Sequence, residues 1–306
     1  FFFKQKTAYE IPKRDWSSDV CSSDLLINAL AVADIDVKAD ATLSGFSLKE
    51  AIGKVDFTEA DGRVTYGNSE LQVSGRGKLD GHAVEVGWQE MFAAKAPYRQ
   101  RYDLKGTLPT AVMVKAGLPS PEPFVTGPVG TTVRYQTLAN GTGEVAAKLE
   151  LKAATASVPP LGWSKEAGKE GVVDLSLKLA PGGKLLAADI DGRAAGLSAK
   201  GHLAFAPGGA VQQVSLKQIA MGQSDLAVEW KRGSAGTELS LSGRALEWSL
   251  VRQVLRERDE AANARPASAD AARERTSIAL QLDQVLVADA GGGGAVGLTQ
   301  MLRGSG

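Results

Sequence analysis

From Ile35 the chain alternates: Ile35, Val37, Ala39, Ala41 and Leu43 are apolar, while Asp36, Lys38, Asp40, Thr42 and Ser44 between them are polar. Successive side chains of a strand point to opposite faces, so a period of two predicts a strand that is wet on one side and dry on the other. The pattern returns at Leu71, Val73, Gly75, Gly77 and Leu79, at Val145, Ala147, Leu149 and Leu151, and at Val173, Leu175, Leu177 and Leu179, in each case mostly with polar residues between. Further strands are expected at Ala199 to Ala206, Val211 to Leu216, Leu226 to Lys231, Thr237 to Leu246 and Ile278 to Val287. Asp61-Gly62, Asp80-Gly81, Asn140-Gly141, Asp191-Gly192, Pro181-Gly182-Gly183 and Pro207-Gly208-Gly209 read as hairpin turns. Sequential hairpins predict an antiparallel meander.

Helix is scarce. Ser47 to Gly53 and Glu90 to Ala96 each read as about one turn, and the longest candidate runs from Leu246 to Asn263, with Leu250, Val251, Val254 and Leu255 on one stripe. Pro266 follows it, and Ala261 to Arg275 has no apolar face and reads as a solvated linker. The expected organisation is a β segment over 26–258, a polar helix end or linker over 259–275, and the start of a further β segment over 276–306, with both ends of the natural chain missing.

The first 25 residues stand apart. They open with three phenylalanines, show no hydrophobic period and contain the cysteine-serine cluster around Cys21. Phe3 to Glu10 and Asp15 to Asp24 resemble two halves of a common sequencing-library adapter translated in one frame. They have neither the apolar stretch nor the small-residue cleavage site of a signal peptide. Residues 1–25 are therefore expected to be non-native and to pack against nothing.

Charge removes several functions. Lys and Arg total 35 against 35 Asp and Glu, which leaves no basic footprint for a phosphate backbone, so no nucleic-acid partner is expected. One cysteine makes no internal disulfide, and two distant histidines make no zinc site. The longest apolar run, Leu25 to Ala33, is too short to span a bilayer. Asp34, Asp36 and Asp40 superficially resemble a calcium loop, but Ala39 stands where glycine is needed and Gly45 where the closing glutamate belongs. His82 follows a turn and His202 lies in an expected strand, both as surface residues. The sequence holds no G-x-S-x-G elbow, S-x-x-K, P-loop or dinucleotide fingerprint, and Gly291 to Gly294 is a connector with no Lys-Ser/Thr pair after it. Asn140-Gly141-Thr142 fits a turn better than a glycosylation site. A glycoside hydrolase would need a carboxylate pair in a cleft, whereas Asp and Glu here fall on the wet faces and in turns. No enzyme, metal or cofactor is expected.

The dry face of such a sheet must be covered, and the expected helices are too few to do it. Either a second sheet closes a sandwich or an apolar ligand occupies a curled single sheet. The apolar positions are mainly Ala, Val and Leu and aromatics make up only 6% of the chain, fewer large fillers than a sandwich core uses.

Val55 to Phe92, Tyr98 to Leu108 (YRQRYDLKGTL), Thr126 to Tyr135 (TGPVGTTVRY) and Val158 to Gly171 (VPPLGWSKEAGKEG) together resemble the AsmA-like proteins, particularly their YhdP-like branch of alphaproteobacterial type. The likeness runs from about Leu43 to Leu246 on degenerate Gly, Asp and Trp positions. It implies an all-β, mainly antiparallel fold: a long twisted sheet curled into an open, U-shaped hydrophobic trough. It also implies an inner-membrane anchor upstream of this sequence, a periplasmic location, and carriage of phospholipid between inner and outer membranes, with no catalytic residues. The expected trough lining is Val73, Leu79, Leu149, Leu151, Leu175, Leu177 and Leu179, in contact with phospholipid acyl chains, with other envelope proteins as further partners. The alternative is a closed β-sandwich or solenoid scaffold that assists outer-membrane assembly by protein contacts.

Overall fold

A computed structural model of the chain describes residues 37–116, 120–158, 162–233, 236–247, 276–287 and 294–296. The strands are β1 (Ala39–Ile52), β2 (Val55–Gly67), β3 (Glu70–Leu79), β4 (His82–Met91) and β5 (Gln100–Pro109), followed by the short helix α1 (Thr110–Lys115). Next come β6 (Val125–Thr126), β7 (Pro128–Thr137), β8 (Gly143–Glu150), β9 (Thr155–Val158), β10 (Trp163–Lys165), β11 (Gly171–Leu179) and β12 (Leu185–Ala194). The rest are β13 (Leu197–Phe205), β14 (Val211–Met221), β15 (Ser224–Gly233), β16 (Gly236–Glu247), β17 (Thr276–Val287) and β18 (Gly294–Val296).

Fifteen of these strands form one sheet in the order β1-β2-β3-β4-β5-β7-β8-β11-β12-β13-β14-β15-β16-β17-β18. The expected all-β, mainly antiparallel meander is what the chain forms. The sheet is open, because β1 and β18 are its two edges and do not pair with each other. Two-residue turns drive it locally: Asp80 and Gly81 take φ of 48° and 85°, both positive as a type I′ hairpin requires. One pairing departs from the meander, since β17 lies parallel to β16.

Several local expectations are corrected. Ser47 to Ile52 is strand, held by Leu48 opposite Phe57 and Ile52 opposite Val55. Glu90 to Ala96 is the end of β4 and a turn. Asp61-Gly62 and Asp191-Gly192 lie inside β2 and β12. The single described helix, α1, falls where none was expected. Residues 1–25, the helix beyond Glu247 and the linker to Arg275 lie outside the described residues. Ile278 to Val287 lies in the large sheet as part of β17.

A second sheet exists, but it has three short strands, β10-β9-β6, and with α1 it covers only one rim. Val112 of α1 packs on Val55, Phe57, Leu79, Val84 and Leu108, while Ala154 and Ala156 pack on Val129 and Leu151. Met113 touches both clusters. We call this rim the capped rim. Lys165 of β10 holds the cap: it is 2% exposed, and its Nζ donates to the carbonyls of Ala154, Glu166 and Lys169, each at 2.9 Å. All three ammonium donors are thereby satisfied, as a buried polar group demands. Among the described residues no second sheet closes a sandwich over the rest of that face.

Candidate functional site

Residues directly opposite in neighbouring strands share a face, so the register locates the dry face across the whole sheet. One row runs Val64, Val73, Trp88, Tyr102, Tyr135 and Val145. It continues through Leu177, Ala188, Leu203, Val214, Trp230 and Leu239. The next row, two residues toward the cap, contains Val86, Leu104, Val133, Ala147, Leu175 and Ile190. A third contains Val84, Gly106, Thr131, Leu149 and Val173. From β2 to β16 these rows contain no charged residue. At about 4.8 Å per strand, an apolar stripe crossing these twelve strands extends roughly 53 Å along the sheet.

The apolar face is the inside of the curl. Ala146 and Ala147 are chemically identical and adjacent; Ala146, on the polar face, is exposed, and Ala147, on the apolar face, is half-buried. Glycines agree. A Cβ on Gly75 would come within 2.7 Å of the Asp61 carbonyl oxygen, one on Gly62 within 2.8 Å of the Ser74 oxygen, and one on Gly201 within 2.6 Å of the Ser215 oxygen. All three lie on the apolar face beside register shifts, between Thr58 and Asp61 and between Lys200 and Gly201, whereas Gly192 on the same face would meet nothing closer than 3.7 Å. On the polar face a Cβ at Gly87 would meet nothing closer than 3.5 Å. Glycine kinks of this kind set the curvature of a sheet.

The outer face is polar and paired. Arg63 donates to Asp40, holding that carboxyl below its ordinary range, and Arg134 Nε meets Asp103 at 2.7 Å. Lys78 meets Glu59 at 2.6 Å and Lys200 meets Asp191 at 3.3 Å. Pairs this exposed contribute little stability and mark a hydrated surface. Asp189, His202 and Ser215 follow one another across β12, β13 and β14, and His202 Nδ1 lies 2.8 Å from Asp189. Those residue types suit nucleophilic catalysis, but Ser215 Oγ donates to Glu229 and makes no hydrogen bond to His202. Among the described residues no group of three or more His, Cys, Asp or Glu could hold a metal ion, and no helix is long and apolar enough to cross a membrane.

All seven expected lining residues share the apolar face. Val73, Leu175, Leu177 and Leu179 are half-buried on its uncovered part, and Leu149, also half-buried, packs against the cluster under the cap. Leu79 and Leu151, 2% and 4% exposed, are instead enclosed beneath the cap, because α1 and the small sheet pack on them. Sequence reasoning missed the aromatic part of the floor. Trp88 stacks on Tyr102 with ring centroids 6.1 Å apart, and Tyr102 stacks on Tyr135 at 6.1 Å. The Trp88 indole N–H is enclosed without a hydrogen-bond partner, and burial, reinforced by Glu90 and Tyr135, raises the Tyr102 phenol above its ordinary pKa. The signal was the period-two run Val84, Val86, Trp88, shorter than the leucine runs and interrupted by Gly87.

The arrangement presents an uncharged apolar face, and among the described residues it contains no assembled catalytic group. Comparison with protein-family models, with characterised proteins and with solved structures finds no match to this chain.

Proposed function

We propose that this chain is a segment of a bridge-like carrier that holds phospholipid by its acyl chains in an open trough and lets it slide between inner and outer membranes. The observation that supports this reading best is the set of three uncharged rows crossing the strands on the concave side. Burial of aliphatic surface yields roughly 25 cal/mol per Å² without directional contacts, so an acyl chain is held firmly yet has no preferred stopping point. A row that changes only among Ala, Val, Leu, Ile, Gly, Thr and aromatic residues presents an uncharged surface at each step. The polar outer face would meet the water of the periplasm, with an inner-membrane anchor supplied by sequence outside this chain. No chemistry is required of this segment, so it acts as a conduit and not as an enzyme.

Native mass spectrometry of the protein purified from an envelope-bearing host tests the reading. Phospholipid retained by the wild-type chain and lost from a variant carrying Leu175→Asp and Leu177→Asp is the expected result. A wild-type chain that binds no phospholipid, even from mixed micelles, overturns it.

A further inference from the structure

One carboxylate interrupts the apolar face. The row beyond Trp88, Tyr102 and Tyr135 reads Leu71, Glu90, Gln100, Thr137, Gly143 and Leu179 across β3, β4, β5, β7, β8 and β11. It is polar on β4, β5 and β7 alone, with Leu71 on one side and Leu179, beyond Gly143, on the other. The polar groups therefore form a notch three strands wide in a row that is otherwise apolar. From β3 to β8, Glu90 is the one charged residue in this row and the three rows described above. It is half-buried, Gln100 Nε2 donates to its carboxylate at 3.2 Å, and among the described residues no Lys, Arg or His forms an ion pair with it. A charge withdrawn from water without a counter-charge is costly, so the position suits a cation that the described residues do not supply.

The neighbouring phenols add acceptors to the notch. Thr137 Oγ1 donates to Tyr135 Oη at 3.1 Å, so the Tyr135 phenol reaches the notch. Gly143 leaves it room, since a Cβ there would lie 3.0 Å from Tyr135 Cε2. Tyr102 stands between Trp88 and Tyr135 in the stack. Burial raises the Tyr102 pKa, and Glu90 and then Tyr135 add to the rise, so the carboxylate and both phenols share one neighbourhood. The potential that disfavours a tyrosinate there favours a cation.

The chemistry of the donor set narrows the choice of cation. One carboxylate with phenols and an amide is a poor cage for calcium or magnesium, which take about six or more oxygens. An alkylammonium fits better: its N–H groups donate to the carboxylate and phenol oxygens, and its methylenes lie against the rings and Leu71. Resting on the carrier reading above, we infer that Glu90, with the phenols of Tyr102 and Tyr135, binds the ammonium group of a zwitterionic phospholipid such as phosphatidylethanolamine. Acyl chains slide over the uncharged rows, and the notch is the one station where the headgroup is selected. Phosphatidylglycerol, with an anionic phosphate and only hydroxyls beyond it, gains nothing from Glu90.

The test is competition between phosphatidylethanolamine and phosphatidylglycerol of the same acyl chains, offered to the chain in equal amounts in mixed micelles and read by native mass spectrometry. Wild-type protein should retain phosphatidylethanolamine about tenfold over phosphatidylglycerol, the worth of one hydrogen bond to a charged group. Glu90→Gln should bring the two within about twofold of each other without lowering the total lipid bound. Glu85→Gln removes the same charge from the exposed, opposite face of β4 and should keep the wild-type preference. Equal retention of both lipids by wild type overturns the ammonium site and leaves the carrier reading standing, whereas a folded wild type that binds neither lipid removes the carrier reading itself. A preference that survives in Glu90→Gln, or disappears in Glu85→Gln, overturns the assignment to Glu90. Free ethanolamine that binds wild type as tightly as the lipid does makes this a small-amine site and overturns the headgroup assignment. Should Glu90→Gln not fold by circular dichroism, wild type decides alone: phosphatidylethanolamine acetylated on its nitrogen should lose its advantage over phosphatidylglycerol, and an advantage that persists overturns the proposal.

Discussion

Gly75→Ala is the most informative single change in the curl. Gly75 faces Gly62 across β3 and β2, and its φ is not positive, so alanine meets no backbone strain there, only crowding. Its new Cβ would lie 2.7 Å from the Asp61 oxygen and 3.2 Å from the Gly62 Cα. Both contacts are to backbone, beside the irregular pairing between Thr58 and Asp61, so the strands themselves must shift to make room. Overpacking of this kind costs about 1–3 kcal/mol, set against a gain of about 0.4–1 kcal/mol from the less flexible unfolded chain. The net expectation is a loss of about 1–2 kcal/mol. Gly87→Ala is the control, one strand away on the outer face, where the nearest atom would be 3.5 Å off and only the gain remains. Urea unfolding should separate the two by about 2 kcal/mol, a midpoint difference of roughly 0.7 M if the slope is near 3 kcal/mol per M. If Gly75→Ala unfolds at the same or higher urea than Gly87→Ala, the apolar face is not the compressed face and the concave assignment fails.

Three further outcomes follow from the same geometry. Lys165→Met leaves three carbonyls without their donor and should loosen the cap by about 1.5–3 kcal/mol, read as a Trp163 emission change at lower urea than the loss of sheet circular dichroism; simultaneous loss of both signals, at the wild-type midpoint, counts against a locking role. Because burial and Glu90 raise the Tyr102 phenol, that group favours folding below its ordinary pKa near 10 and the contribution is lost as pH rises through the folded value; in Glu90→Gln one tyrosinate should appear earlier in an alkaline absorbance titration, and an unchanged curve contradicts the placement. Leu108→Ala, in the core under α1, should cost about 2–5 kcal/mol in urea unfolding, while Leu177→Ala on the open floor should cost clearly less, and equal costs would imply that the floor is covered.

Much of the fold was legible because a one-sided sheet writes its two faces into alternate residues. Val173 to Leu179 shows this directly: every apolar residue faces inward, and Asp174, Ser176 and Lys178 are exposed. What failed was punctuation. Asp61-Gly62 and Asp191-Gly192 look like turns, yet Gly62 is there because its face has no room for a Cβ. Alanine and leucine near Ser47 to Ile52 suggested a helical turn, and pairing with β2 overrode that preference. The helix α1 was hidden for the converse reason, since TAVMVK has two valines and a threonine and reads as strand, while its burial against Leu79 and Leu108 comes from distant parts of the chain. The cap strands β6, β9 and β10 are only 2, 4 and 3 residues long, too short to show a period. Leu79 and Leu151 were therefore read as floor when they are core.

The carrier reading turns on which face meets lipid, and two adjacent residues decide it. Leu177 pairs with Val145 and Ala188 on the concave side, and Lys178 pairs with Glu144 and Ala187 on the other. A photo-crosslinking residue placed at each position in turn, in cells, should capture phospholipid at 177 and none at 178. Capture at 178 and not at 177, or at neither, would contradict an apolar trough that carries lipid.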